Sequence, residues 1–243
     1  ITNNGVVTGQ LNASTTGGWV LSSGTTTLTV TGNSWLGSGG TVTSTSGTLT
    51  FTGAVSSTGS LGTQTGVLGF VSTVQNNGTI NVGAGTASSS GAFTNAAGSV
   101  YRVLGGTATS SGAFTNAGTV TLTSGTMGLT SDFTQSSGAI FTGGTGTVRL
   151  ADVNAQNFYI NSGTLTFTNL DIQKTGGTAS STFGNLTVAG QLNSTTTGWT
   201  LSAGTTTITV TGPSWLVAGT VTSTSGTLTF TGAVSSTASI GSN

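Results

Sequence analysis

The chain has 243 residues, of which 42 are glycine, and it contains neither cysteine nor histidine. Its charges are Arg102, Arg149, Lys174, Asp132, Asp152 and Asp171, so charged residues make up 2% of the chain and the formal net charge is zero. This composition excludes disulfides, thiolate metal sites and His- or Cys-based nucleophiles. It gives no electrostatic reason to bind nucleic acid, and it warns of self-association.

Gly, Ser and Thr abound, but Val, Ile, Leu and Phe recur in an ordered pattern, which argues against disorder. Strong helix formers are scarce, whereas Thr and Val suit a pleated strand. No apolar run approaches the length of about 18 residues that a membrane-spanning helix needs.

The opening Ile1-Thr2-Asn3-Asn4-Gly5 echoes the later Asn76-Asn77-Gly78, as if the chain began midway through an array. With neither a signal peptide nor an initiator Met, it is expected to be a processed product or a slice of something longer. Strands are predicted at Trp19-Val20-Leu21, Thr25 to Thr31, Thr41-Val42-Thr43 and Thr48 to Thr52. Alternation such as Leu28-Thr29-Val30 places apolar side chains on one face and Thr on the other.

From Asn77 to Leu150 a phrase recurs every 20 residues: Gly78-Thr79-Ile80, Gly98-Ser99-Val100, Gly118-Thr119-Val120 and Gly138-Ala139-Ile140. Ser90-Gly91-Ala92-Phe93-Thr94-Asn95 returns as Ser111 to Asn116, and more loosely as Ser131-Asp132-Phe133-Thr134-Gln135. A fixed short period marks a solenoid. Each rung reads as three short strands. The first carries Ile80 and Val82, then Val120 and Leu122. The second carries Ala87, Ala108, Met127 and Leu129, then Val148 and Leu150. The third carries Phe93, Phe114 and Phe133. Asn-Gly corners at Asn77-Gly78 and Asn116-Ala117-Gly118 fit left-handed turns, and stacked Asn side chains are expected to bond along the coil. Constant spacing aligns Arg102 with inward Val82 and Leu122. A buried unpaired guanidinium is costly, so a β-bulge turning Arg102 outward is expected.

Beyond Leu150, Ala151 to Asn157 reads as a longer loop, with 25 residues separating Gly138 from Gly163. Rungs resume at Gly163 to Phe167, Leu170-Asp171-Ile172 and Phe183 to Val188. The opening text then returns. Residues 6–62 are copied at 187–241, with Gly9-Gln10-Leu11-Asn12 as Gly190 to Asn193 and Thr41 to Thr58 unchanged as Thr220 to Thr237. The expected fold is therefore all-β: one continuous single-coil parallel β-helix (β-solenoid) over residues 1–243, with about eleven rungs of 19–25 residues.

Phe114 to Thr126 (Phe-Thr-Asn-x-Gly-Thr-Val-x-Leu-x-x-Gly-Thr), Leu170 to Thr178 and Gly184-Asn185-Leu186-Thr187-Val188 resemble repeats of bacterial surface β-helix proteins. These are the haemagglutinin-like and autotransporter-like adhesin passengers. The resemblance implies a right-handed parallel β-helix, secreted or displayed on a bacterial cell. The secretion-domain signature of the haemagglutinin group and a membrane barrel segment are not found in the chain.

Chemistry finds little purchase. Proton transfer would fall to Asp132, Asp152 and Asp171, whose register the 25-residue rung disrupts. Asp152, Asn154 and Asn157 offer oxygen ligands for calcium, but too few carboxylates. An isopeptide bond at Lys174 would need an Asp or Asn beside it and a catalytic Glu, and the chain has no Glu. Gly83-Ala84-Gly85 and Gly143-Gly144 precede no helix that would help bind phosphate. The sequons at Asn12, Asn77, Asn185 and Asn193 are expected by chance in a Ser/Thr-rich chain. No catalytic, cofactor or metal residue is assigned.

Two features remain as candidate surfaces. Trp19, Trp35, Trp199 and Trp215 are one pair written twice, expected mainly in core or corner packing but able to stack on sugars. The Thr runs Thr25 to Thr31 and Thr205 to Thr211 resemble the arrays of ice-binding solenoids, although Thr is also simply a good exposed strand residue. The expectation is a non-enzymatic structural protein, extracellular or on the cell surface, part of a fibre built by head-to-tail stacking of copies. The contact would join the rung near Val6 to the rung at Val234 to Ile240. The alternatives are an adhesin for glycans or other cells, and an ice-binding solenoid. Neither a nucleic-acid partner nor a membrane-spanning segment is expected.

Overall fold

The computed structural model describes residues 4–13 and 20–242. Among them are 35 short strands and no helix. Strands three apart in the chain stack in parallel, with one interruption, producing three faces. Two faces are unbroken twelve-stranded ladders, so the coil makes about eleven turns. At the usual strand spacing of about 4.8 Å this is a rod some ~50 Å long. The first face begins with Gly5–Val7 and Thr27–Val30, the second with Asn12–Ala13 and Ser34–Leu36, the third with Val20–Ser22 and Thr41–Ser44.

Alternation decides which side chains enter the coil. In Thr27–Val30 and Thr48–Phe51 the apolar second and fourth residues are buried. Stacked rung on rung, these positions form files. Ala87, Ala108, Met127 and Val148 follow one another on the first face. Phe93, Phe114, Phe133 and Phe158 do so on the second. The rings of Phe93 and Phe114 stack with centroids 4.9 Å apart, and Tyr101 meets both edge-on. The turns with the smallest first-face residues, Ala87 and Ala108, are those that carry the large rings of Phe93, Tyr101 and Phe114, which keeps the interior filled.

The constant period of 20 is not the structural period. Thr79 stacks under Val100, Val100 under Thr119 and Thr119 under Ile140, so the steps are 21, 19 and 21 residues. The difference lies in the corners. Asn77-Gly78 and Ala117-Gly118 are two-residue corners, whereas Ala96–Ser99 and Ser136–Ala139 have four. In those longer corners Gly98 and Gly138 take positive φ of 78° and 77°, which only glycine accepts easily. Val103, not Arg102, therefore stacks between Val82 and Leu122. Arg102 does point outward, as expected, but the ladder through it is continuous and has no bulge. The four-residue corner has already shifted the register.

Another corner needs glycine because backbones nearly touch. A Cβ on Gly66 would lie 2.4 Å from the Gly47 carbonyl oxygen, and one on Gly106 would lie 2.0 Å from that of Gly85. Gly47, Gly66, Gly85, Gly106 and Gly125 thus form a column.

The third face is interrupted. Its seven-stranded ladder ends at Ile140–Gly143, and a separate four-stranded ladder begins at Thr164–Phe167. Aromatic packing fills the gap, with Phe141 and Phe167 edge-to-face at 5.1 Å and Phe167 against Phe158 at 5.7 Å. Here strands lengthen to six residues in Thr147–Asp152 and Asn169–Lys174. The loop expected over Ala151 to Asn157 shrinks to residues 153–155, because Ala151 and Asp152 end one strand and Gln156 and Asn157 start the next.

Past this zone the repeated text lies on different faces. Thr27–Val30 lies on the first face and its copy Thr207–Val210 on the third. Ser34–Leu36 lies on the second and Ser214–Leu216 on the first. The copy comes 26 strands later, from the fourth strand to the thirtieth. At three strands per turn that is eight turns and two thirds, so the second copy is rotated by one face.

Candidate functional site

Five of the six charged side chains fall between Asp132 and Lys174, in and around the interrupted zone. Arg149 and Asp171 occupy the third positions of their six-residue strands and pair across the ladder on the outer side of the first face. Arg149 Nε donates to Asp171 Oδ2 at 3.0 Å, and Gln173 Nε2 donates to the same oxygen at 2.9 Å. Asp171 is 8% exposed, and its Oδ1 is buried without a hydrogen-bond partner. The same outward file continues through Asn193 to Trp215, which is 57% exposed. Arg149, Asp171 and Asn193 line a shallow recess of about 160 Å³. Trp215 stands one turn beyond this recess, beside Asn193, and an aromatic face next to an amide can stack on a hydroxyl-rich ring.

Inside the coil, Lys174 is fully buried. Its Nζ donates to the Asn154 carbonyl at 2.6 Å and to Gln156 Oε1 at 2.9 Å. Burial holds this amine below the ordinary lysine range, partly offset by the Asp152 carboxylate. Gln156 in turn donates to the Leu129 and Ser131 carbonyls. Neighbouring turns differ here in length, and these long polar side chains reach backbone oxygens at the place where the coil changes shape. Asp152 takes a positive φ of 89°. Hydrogen bonds from the Val153 backbone and the Asn154 side chain lower its carboxyl pKa.

The residues weighed for catalysis and calcium do not converge. Asp132 accepts from the Asn157 backbone and side chain, Asp152 binds Asn154, and Asp171 faces Arg149. Among the described residues no group of three or more acidic or His/Cys side chains is arranged to hold a metal. Lys174 donates its hydrogen bonds to a backbone carbonyl and a glutamine, and none to the Asp or Asn side chain that an isopeptide would need. The glycines at 85 and 144 admit the backbone of the turn below, with ideal Cβ positions 2.1 and 2.2 Å from carbonyl oxygens.

The tryptophans divide. Trp199 is buried and donates to the Thr196 and Val217 carbonyls, as core packing requires. Trp35 and Trp215 are 44% and 57% exposed, and Trp19 lies outside the described residues. Each exposed Trp stacks on an asparagine, Asn12 and Asn193, but the pairs stand on different faces. Thr166, Thr187, Thr209 and Thr229 form an unbroken outward file on the four-stranded ladder.

Sequence reasoning anticipated an asparagine ladder but not its register. Asn76, Asn95, Asn116 and Gln135 are buried and bonded amide to amide at 2.7, 2.9 and 3.0 Å. Each Asn also donates to a backbone carbonyl, of Val100, Thr119 or Ile140. Asn77 lies outside the coil. The last letter of the repeated Phe-Thr-Asn phrase was the signal. Comparison of the chain with protein-family models, curated proteins and solved structures found no match.

Proposed function

We propose that this chain is a non-enzymatic structural solenoid, a segment of an extracellular or cell-surface fibre extended by head-to-tail stacking. The observation that carries this reading is the pair of uninterrupted twelve-stranded parallel ladders around one continuous apolar core. Such a coil is lengthened by adding turns without altering those already formed. Purified chain is expected to form rods longer than one molecule, growing with concentration in light scattering and in electron micrographs. Particles that stay monomeric at high concentration would sink the reading.

A second reading rests on Trp215 above Asn193, Asp171 and Arg149: an adhesin that holds a saccharide on the first face. Glycan-array binding that disappears in Trp215→Ala and survives in Trp35→Ala would support it.

A further inference from the structure

Asp171 holds a charged oxygen that the fold leaves unsatisfied. Its Oδ1 is buried without a hydrogen-bond partner, and the residue as a whole is 8% exposed. The other side-chain atoms in that state are the hydroxyls of Ser57 and Ser214, so among the described residues this is the one charged group so placed. A carboxylate oxygen kept from water without a donor is costlier than a hydroxyl. Unused polar groups stand on both sides of it. Arg149 lies one turn before Asp171 and Asn193 one turn after, in a single outward file with steps of about 4.8 Å. Arg149 is tied to Asp171 through Nε alone, which leaves both Nη groups without a partner among the described residues. The Asn193 amide has none either. On the far side of Arg149 the file continues to Gly128, which has no side chain to crowd the guanidinium. Thr147, Asn169 and Gln191 complete the polar wall of the recess.

We propose that this recess binds one uncharged sugar ring through two adjacent hydroxyl groups. This rests on the saccharide reading above, and it names the class of sugar and the atoms that hold it. The open groups disfavour simpler ligands. An anion would suit the Arg149 Nη groups but be repelled by the Asp171 carboxylate. A cation would suit Oδ1 but face the guanidinium. A hydroxyl donates and accepts at once, which is what an acceptor flanked by donors requires. One hydroxyl donates to Asp171 Oδ1 and accepts from the Asn193 amide, and its neighbour on the ring accepts from Arg149 Nη. Oδ1 itself is shielded, and the ligand gains it as the Arg149 side chain, 41% exposed and tethered at one atom, turns to meet the second hydroxyl. The charges of Arg149 and Asp171 cancel, so nothing favours an acidic or an amino sugar. At about 160 Å³ the recess is well below the ~300 Å³ at which pockets for drug-sized ligands begin, and it has room for a single ring.

The test titrates the 243-residue chain with methyl hexopyranosides, followed by NMR shifts and calorimetry. Weak, saturable binding that persists in EDTA is expected. Among monodeoxy analogues of the bound hexoside, two adjacent positions should each lose about tenfold or more in affinity, and the others little. Asp171→Asn, Asn193→Ala and Arg149→Lys should each weaken binding by about tenfold. Asn193→Ala, at an outward position, keeps the test standing if Asp171→Asn does not fold. Tighter binding of a uronate or an amino sugar overturns the proposal, as does the lack of two adjacent sensitive hydroxyls. Binding lost in Trp215→Ala but intact in Asp171→Asn and Asn193→Ala overturns it and leaves the saccharide reading standing. Binding lost in those two variants yet intact in Trp215→Ala upholds the recess and removes the reading that Trp215 carries. No binding by any hexoside overturns the proposal, and the glycan array then decides the wider reading alone.

Discussion

Between Val67 and Gly143 each turn repeats the strand pattern of the one beneath it in steps of 19 and 21 residues, whereas from Thr147 to Thr182 strands lengthen to as many as six residues and the side-chain chemistry changes. The regular part satisfies its polar groups by repetition: the Asn76 to Gln135 ladder uses one bond, copied upward. The irregular part relies on single contacts, from Lys174 to Asn154, from Gln156 to Leu129 and Ser131, and from Arg149 to Asp171, and leaves Asp171 Oδ1 without a partner. Repetition therefore needs no charge. A change of coil shape breaks the match between one turn and the next, and side chains such as Lys174, Gln156, Asp132 and Asp152 bond the backbone groups left over. That is a physical reason for finding most of this chain's few charges in one place. Beyond that zone the same text continues one face further round.

Substitutions in the regular part are expected to cost the most stability. Phe114→Ala opens a gap between Phe93 and Phe133 and is expected to cost about 3–5 kcal/mol in denaturant melts. Asn95→Ala removes a partner from Asn76, Ser99 and Asn116, and should cost about 2–3 kcal/mol. Asn77→Ala, one letter from the ladder, should stay within about 0.5 kcal/mol. Gly106→Ala forces a Cβ into the Gly85 carbonyl and should cost about 1–3 kcal/mol, measured by the same melts.

In the irregular part the effects are smaller and depend on conditions. Arg149→Ala should cost about 1 kcal/mol, lessened by salt in the wild type, because the Arg149 side chain is 41% exposed. Lys174 sharpens the contrast through pH. Its folded-state pKa lies below the ordinary lysine value, so between the two the unfolded chain binds more protons than the folded one. Stability should therefore rise with pH through that window, towards about pH 10. Lys174→Met should flatten the rise in thermal melts taken across it. A rise of the same steepness in the variant would show that another group is responsible.

Much of this was legible in the chain itself. Alternation of Thr with Leu, Val and Phe determined the strands and their inward faces, since a pleated strand turns successive side chains to opposite sides. The recurring Phe93, Phe114 and Phe133 announced a stacked interior, and the long repeat announced identical surfaces at two heights. What the tertiary structure alone decided was register and azimuth. Corners of two and four residues convert an apparent period of 20 into steps of 19 and 21, which puts Val103 rather than Arg102 inside. They also place Asn76, not Asn77, in the ladder. Counting strands around the coil sends the second copy to a different face, parting Trp35 from Trp215. A sequence repeat determines what a turn contains. Where that turn points depends on how many strands lie between the copies, and this is settled only when the chain closes each turn onto the one below.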